Sequence, residues 1–239
     1  LKDKSDNIDS PITSKWLLFL LTLLLALTAC GPSDEERREN NLRNLETGIV
    51  KVEVGGQKFD IPLRYMYGEA IVKYGRWPTP KKERLKTTDL SLSMLLPDLK
   101  PYFPEDEEKW KELGHGDRMS VSITNRGDGD WYHFVNDMTL DWVAQKENYS
   151  REKDVHGLRY YETPSGREYY PLNGQTLRIT CNSKKVFSPS CRFKSNYKNG
   201  LALEGTFGVK YLPQWQDIDT GLKKLFNRFS APERTSLNE

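Results

Sequence analysis

The chain is poor in the residues that most enzymes use for chemistry. Its 239 residues include three histidines, His115, His133 and His156, and three cysteines, Cys30, Cys181 and Cys191. No two histidines stand four apart, which excludes a helical metal-binding pair, and Cys181 and Cys191 have no nearby histidine to complete a zinc ligand set. There is no H-E-x-x-H, no G-x-S-x-G, no phosphate loop and no dinucleotide fingerprint. Charge of one sign is also missing: 36 Lys and Arg against 34 Asp and Glu leave a net charge of +2, with no basic face for nucleic acid. No repeat at solenoid periods and no low-complexity tract is present. From these absences we expect a protein without metal, cofactor or nucleic-acid partner, and one that is not an enzyme.

Only one long apolar run exists. Lys15 precedes Trp16 to Ala26, and Leu27-Thr28-Ala29-Cys30 follows, with Gly31 next. Such a run is short for a bilayer span and has the layout of a secretory h-region ending in small residues. The LTAC tetrapeptide resembles the bacterial lipobox. That resemblance implies lipidation at Cys30, which becomes the first mature residue after residues 1–29 are removed. It carries a diacylglyceryl group on sulfur and a fatty acyl chain, such as palmitate, on the new amine. Gly31, rather than Asp, resembles lipoproteins passed to the outer membrane of a Gram-negative cell. The leader carries Lys2, Lys4 and Lys15 but also Asp3, Asp6 and Asp9, so its loss leaves the charge balance unchanged.

With Cys30 acylated, Cys181 and Cys191 remain as an even pair in an oxidising compartment, and a disulfide between them is expected. Aromatic residues, 11% of the chain, argue against disorder. Residues 31–46 are polar and charge-dense with little apolar periodicity. They read as a tether that could reach about 50 Å if extended, with room for a short frayed helix.

The folded part is expected over 48–230, with a disordered tail at 231–239. Ile49 to Val54 and Gln57 to Ile61 alternate apolar and polar residues around Gly55-Gly56, a strong hairpin signal. Residues 63–75 suit either a strand or a short helix. Leu90, Leu92 and Met94 alternate with serines, and Arg118 to Thr124 alternates again. Asp106 to Leu113 can hold a helical turn or two before Gly114. Residues 131–135 can return as a strand after the Gly127–Asp130 turn. Further strands are expected at Leu158–Glu162 and Arg167–Tyr170, then a meander of 175–181, 191–197 and 201–209. The pattern closes on an amphipathic helix opened by Pro213, with Trp215, Ile218, Leu222, Leu225, Phe226 and Phe229 on one face. These elements predict an α+β fold: an antiparallel, β-rich domain of hairpins and meanders with a C-terminal helix. One sheet, or two sub-domains divided near 136–156, would both satisfy the pattern.

Candidate binding residues follow from composition. Asp128 and Asp130 beside Trp131 place carboxylates and an aromatic anchor in one loop, a combination suited to plugging a basic site. The run Glu105 to Glu108 reads as a solvated face. His133, with Asp137 and Asp141 downstream, is the one place for a His–Asp dyad, and a packed or surface histidine is the stronger reading. The Arg126-Gly127-Asp128 tripeptide and the Asn148-Tyr149-Ser150 sequon carry little weight by themselves.

The whole layout resembles periplasmic immunity lipoproteins encoded beside type VI secretion effectors, especially those that guard against phospholipase toxins. The resemblance rests on the lipobox with Cys30, the VGGQKFDIPLRYMYG opening, the LSLSMLLPDLKPY strand, the Cys181–Cys191 hairpin and the closing PQWQDIDTGLKKLFNRF helix. It implies a membrane-anchored protein that binds a cognate secreted toxin and occludes its active-site mouth. Asp128, Asp130 and Trp131 are the expected toxin-binding residues on composition alone. An envelope accessory lipoprotein that docks a periplasmic partner through its sheet is the second expectation.

Overall fold

The computed structural model describes residues 31, 33–66, 83–126, 150–164, 166–182, 186–198 and 200–230. The leader, Cys30, the Asp128–Asp130–Trp131 loop and His133 lie outside them. The chain divides into two units, residues 1–43 and residues 44–239.

The segment read as a tether is helical: α1 runs from Asp34 to Thr47. Its start is a capping box. The Glu36 amide donates to Ser33 Oγ at 3.2 Å, and the Ser33 amide donates to Glu36 Oε2 at 2.8 Å. Asp34, Glu35 and Glu36 in the first turn favour the positive end of the helix dipole. Polar side chains around the helix hide it from a periodicity reading, whereas the capping serine and Glu36 were legible. Leu45, in its last turn, is buried.

The second unit is built on strands. β1 (Ile49–Val54) and β2 (Gln57–Pro62) form the expected hairpin, with Val54 opposite Gln57. Gly55 and Gly56 take φ of 55° and 79°, the positive pair that a two-residue turn demands. A short strand, β3 (Leu85–Thr87), joins β1 in parallel, which the hairpin pattern did not foretell. Arg84 holds that junction. Its guanidinium donates to the carbonyls of Val52 and Phe59, each at 2.9 Å, and to Asp60 Oδ1 at 2.7 Å.

Eight strands make the larger, wholly antiparallel sheet. These are β4 (Asp89–Leu95), β5 (Arg118–Asn125), β6 (Ser150–Arg151), β7 (Leu158–Thr163), β8 (Gly166–Pro171), β9 (Leu177–Cys181), β10 (Ser190–Asn196) and β11 (Leu201–Gly208). Their spatial order is β4-β5-β11-β10-β9-β8-β7-β6. The meander β9-β10-β11 and the hairpin β7-β8 fall where alternation placed them. Non-local pairing of β11 with β5 joins the halves of the chain into one sheet. A short helix, α2 (Glu107–Lys111), lies between β4 and β5 and buries Trp110.

Alternation divides the large sheet into an apolar face and a polar one. The apolar face carries Leu92, Val121, Ile123, Leu203, Phe193 and Ile179, all buried. The C-terminal helix α3 (Trp215–Phe229) buries Trp215, Ile218, Leu222, Leu225, Phe226 and Phe229, the stripe read from its spacing. Pro213 precedes it, in a 3-10 turn over Val209–Gln214, so the helix opens two residues later than expected. Phe226 meets Phe59 edge-on at 6.0 Å and Tyr197 at 6.1 Å, which locks α3 to both sheets. Asn227 Oδ1 accepts the Tyr197 hydroxyl at 2.6 Å, and Trp215 Nε1 donates to the His156 carbonyl at 2.9 Å. No helix among the described residues is long and apolar enough to cross a membrane.

Candidate functional site

The polar face of the large sheet is ordered by strand register. One row crosses all eight strands, each member directly opposite the next: Ser93, Ser120, Thr206, Arg192, Thr180, Glu168, Tyr161 and Arg151. A second row beside it holds Ser91, Ser122, Glu204, Lys194 and Arg178. Period-2 alternation puts these residues on the face away from the apolar core. Hydroxyls occupy the β4–β5 end, with Ser91 and Ser122 hydrogen-bonded at 2.7 Å, and cations collect over β9 and β10.

Two ion clusters fix the cations. Glu168, buried, accepts from Arg178 Nη2 at 2.6 Å and from the Tyr170 hydroxyl at 2.6 Å. Glu204 is shared by Arg126 and by Lys194, whose ammonium lies 3.5 Å away. Arg192 is exposed and makes no ion pair among the described residues. Burial pushes the Lys194 ammonium below the ordinary lysine range, Glu204 opposes this, and Arg126 and Arg178 push it down further.

Over this patch lies an open hollow of about 490 Å³, lined among the described residues by Arg178, Thr180, Cys181, Asn182, Ser190, Arg192, Lys194 and Thr206. Thr206 also borders a second hollow of about 300 Å³, lined by Lys111, Glu112, Leu113, His115, Arg118 and Ser188. The second hollow is framed by two loops pinned together. The His115 amide donates to Ser188 Oγ at 2.8 Å, and buried Arg118 donates from Nη2 to the carbonyls of Glu112, at 2.9 Å, and Gly114. Gly114, at φ 79°, packs so closely that a Cβ there would sit 2.4 Å from Ser188 Oγ.

The disulfide expected between Cys181 and Cys191 is present. The two cysteines face each other across β9 and β10, and Asn182 and Ser190 continue the pairing with the Ser190 amide donating to Asn182 Oδ1 at 2.8 Å. The bridged loop thus leaves the sheet beside the cationic hollow and carries Val186 and Phe187 outward. Phe187 is 87% exposed and Leu113 82%, the two most exposed large apolar side chains among the described residues.

Of the sequence-based site residues, Cys181 and Cys191 are placed together, while Cys30, Asp128, Asp130, Trp131 and His133 fall outside the described residues. His115 lines the second hollow, and His156 sits at φ 53° with its carbonyl on Trp215. The acidic run is paired with local lysines, Asp106 to Lys100 at 2.5 Å and Glu107 to Lys111 at 2.9 Å; Glu105 and Glu108 are exposed, whereas Asp106 and Glu107 are half-buried. Among the described residues no group of three His, Cys, Asp or Glu could hold a metal. The patch offers fixed donors and charge, which is the chemistry of binding.

Comparison by sequence finds no matching family model and no matching curated protein. Comparison by structure finds two similar solved proteins. One is Smlt3025, an immunity protein of the Stenotrophomonas maltophilia type IV secretion system, at a TM-score of 0.56 and 12% identity over 77% of this chain and 94% of that one. The other is the Neisseria meningitidis iron-regulated outer membrane lipoprotein FrpD, at a TM-score of 0.52 and 14% identity over 77% of this chain and 93% of that one. At identities this low the likeness shows a shared fold alone.

Proposed function

We propose that this protein is a periplasmic, lipid-anchored immunity protein that binds a cognate secreted toxin and occludes its active site. The observation that carries the reading is the fold shared with a secretion-system immunity protein along nearly the whole of that protein's length. The lipobox at Cys30 supports it, since an anchor beside the membrane holds the domain where a toxin entering the periplasm arrives. Three acyl chains bury tens of methylenes, each worth about 0.8 kcal/mol, so attachment is effectively permanent. The likeness to an outer membrane lipoprotein and Gly31 after the cysteine support an outer-membrane, periplasm-facing location.

Inhibition in this reading is stoichiometric and needs no chemistry from the protein itself. It needs a complementary interface of standard size, roughly 1,600 Å² in total. The resemblance read from the sequence assigns the toxin as a type VI phospholipase-type effector, with Asp128, Asp130 and Trp131 at the interface. The FrpD likeness favours one other reading, an envelope lipoprotein that docks a periplasmic partner unrelated to toxicity.

Co-expression tests the proposal. The effector encoded beside this gene, directed to the periplasm, should arrest growth, and the lipoprotein should restore it and co-purify with the effector at one to one. Arrest without rescue, and no complex, would reject immunity against that effector. Lipid analysis of the arrested cells identifies the toxin: loss of intact phospholipid supports a phospholipase, and intact phospholipid rejects it.

A further inference from the structure

Between β8 and β9 the chain turns through Leu172-Asn173-Gly174-Gln175-Thr176, a loop pinned on both sides. At its start the Leu172 amide donates to the Gly157 carbonyl at 3.0 Å. Farther on, Gln175 Nε2 donates to Oδ2 of Asp219 on α3, a carboxylate only 2% exposed. Lys223 Nζ reaches the same oxygen at 2.8 Å, and Oδ1 has no hydrogen-bond partner among the described residues. The loop thus helps to seat the N-terminal half of α3. Between the two pins, Asn173 and Gly174 are exposed. Asn173 Oδ1 accepts the Gln175 amide at 3.0 Å, an Asx turn that lays the carboxamide along the Gly174 peptide and polarises its carbonyl. Gly174, at φ 75°, has no side chain to screen its amide, and a Cβ there would meet nothing within 4 Å. A backbone nitrogen, a polarised carbonyl carbon and open space stand at adjacent residues.

We infer that Asn173 is a site of spontaneous modification: it deamidates through Gly174 to aspartate and isoaspartate, and the isoaspartyl form loosens the hold of this loop on α3. The Gly174 backbone nitrogen, having lost its proton to hydroxide, attacks Asn173 Cγ. A new N–C bond closes a five-membered succinimide as the carboxamide C–N bond breaks, and ammonia leaves with a proton taken from water. Water then adds to one of the two ring carbonyls and opens the ring. Opening at Cγ gives aspartate. Opening at the backbone carbonyl breaks the Asn173–Gly174 peptide bond and leaves the chain running through Cγ, one methylene longer, as isoaspartate. The balance is one water consumed and one ammonia released, with no oxidant or cofactor. The longer main chain displaces Gln175 from Asp219, so the buried carboxylate keeps Lys223 alone. This inference is independent of the immunity reading.

The test ages the full-length protein at 37 °C, at pH 6 and at pH 8. It carries Asn199→Gln, because Asn199-Gly200 is the other Asn-Gly pair in the sequence. Peptide mapping by mass spectrometry should find a gain of about one dalton on the peptide holding Asn173, and isoaspartyl methyltransferase should label that peptide. Conversion should run at least tenfold faster at pH 8 than at pH 6, since the attacking nitrogen must lose its proton. Asn173→Gln, which would have to close a six-membered ring, should abolish it, and Gly174→Ala should slow it at least tenfold. The isoaspartyl fraction, isolated by anion exchange, should melt several degrees below fresh protein of the same sequence. Asn173 left intact in the folded protein, over a time in which the urea-unfolded chain converts, would overturn the site. Conversion changed less than twofold by Gly174→Ala would overturn the succinimide route. An isoaspartyl fraction that melts with fresh protein would overturn the link to α3.

Discussion

Phe193 lays its ring over Gly205, its direct partner across β10 and β11: a Cβ built on Gly205 would come within 2.3 Å of the ring. The glycine leaves a gap in the apolar face of the sheet, and the aromatic fills it. Gly205→Ala should therefore force Phe193, buried to 2% exposure, off its seat. Overpacking of this kind costs about 1–3 kcal/mol. Thermal unfolding should show a melting temperature several degrees lower, and an unchanged value would mean the ring moves freely.

The Cys181–Cys191 bridge closes a loop of nine intervening residues between paired strands. Replacing both cysteines with serine should cost about 2–3 kcal/mol, through the greater freedom of the unfolded chain. Because Asn182 and Ser190 keep the strands paired, the sheet should survive. Urea unfolding of the double variant, compared with wild type treated with a reductant, should give coincident curves.

Asp117 carries a pH signature. Burial alone would raise its carboxyl pKa, but hydrogen bonds from Lys210 Nζ, at 2.7 Å, and the Tyr211 hydroxyl, at 2.6 Å, hold it below the ordinary value of 3.8. A depressed folded pKa adds stability that is fully present above the unfolded value and lost as pH falls through the folded one. Asp117→Asn should thus cost about 1 kcal/mol at pH 7, and the difference from wild type should shrink once pH drops below about 4. Parallel denaturation curves at pH 7, 5 and 3 measure this; a difference that grows toward acid would refute it.

Ser33 caps α1 through Glu36. Ser33→Ala should cost the helix start about 1 kcal/mol. Amide exchange at residues 34–37 should then speed up roughly fivefold, without change in the strands.

Cys30→Ser should abolish acylation. Metabolic labelling with palmitate should be lost, and the leader should remain uncut. A labelled, membrane-bound Cys30→Ser protein would remove the lipobox from the argument.

Local physics made much of this protein legible from its residues. The turn at Gly55-Gly56, the strands with Leu90, Leu92 and Met94, the β9–β10–β11 meander and the stripe of α3 all depend on spacing within a dozen residues. The disulfide was legible because two cysteines remained once Cys30 was assigned to lipid. The segment 31–46, read as a tether with room for a short frayed helix, is helical from Asp34, and a helix without an apolar face leaves no periodic trace beyond Ser33 and Glu36 at its start.

The sequence alone thus determined where most of the described strands and the final helix lie, which cysteines pair, and which segment resembles an export address. It contained Arg178, Arg192, Lys194, Thr180 and Thr206 as the polar halves of ordinary alternating strands, with nothing to set them apart. Only tertiary structure decided that these halves share one face, that β11 pairs with β5, and that Gly114 packs against Ser188. The reason is that alternation states which way a side chain points from its own strand, whereas its neighbours across the sheet are set by register and strand order. Those in turn are fixed by burial of the opposite, apolar face in the core.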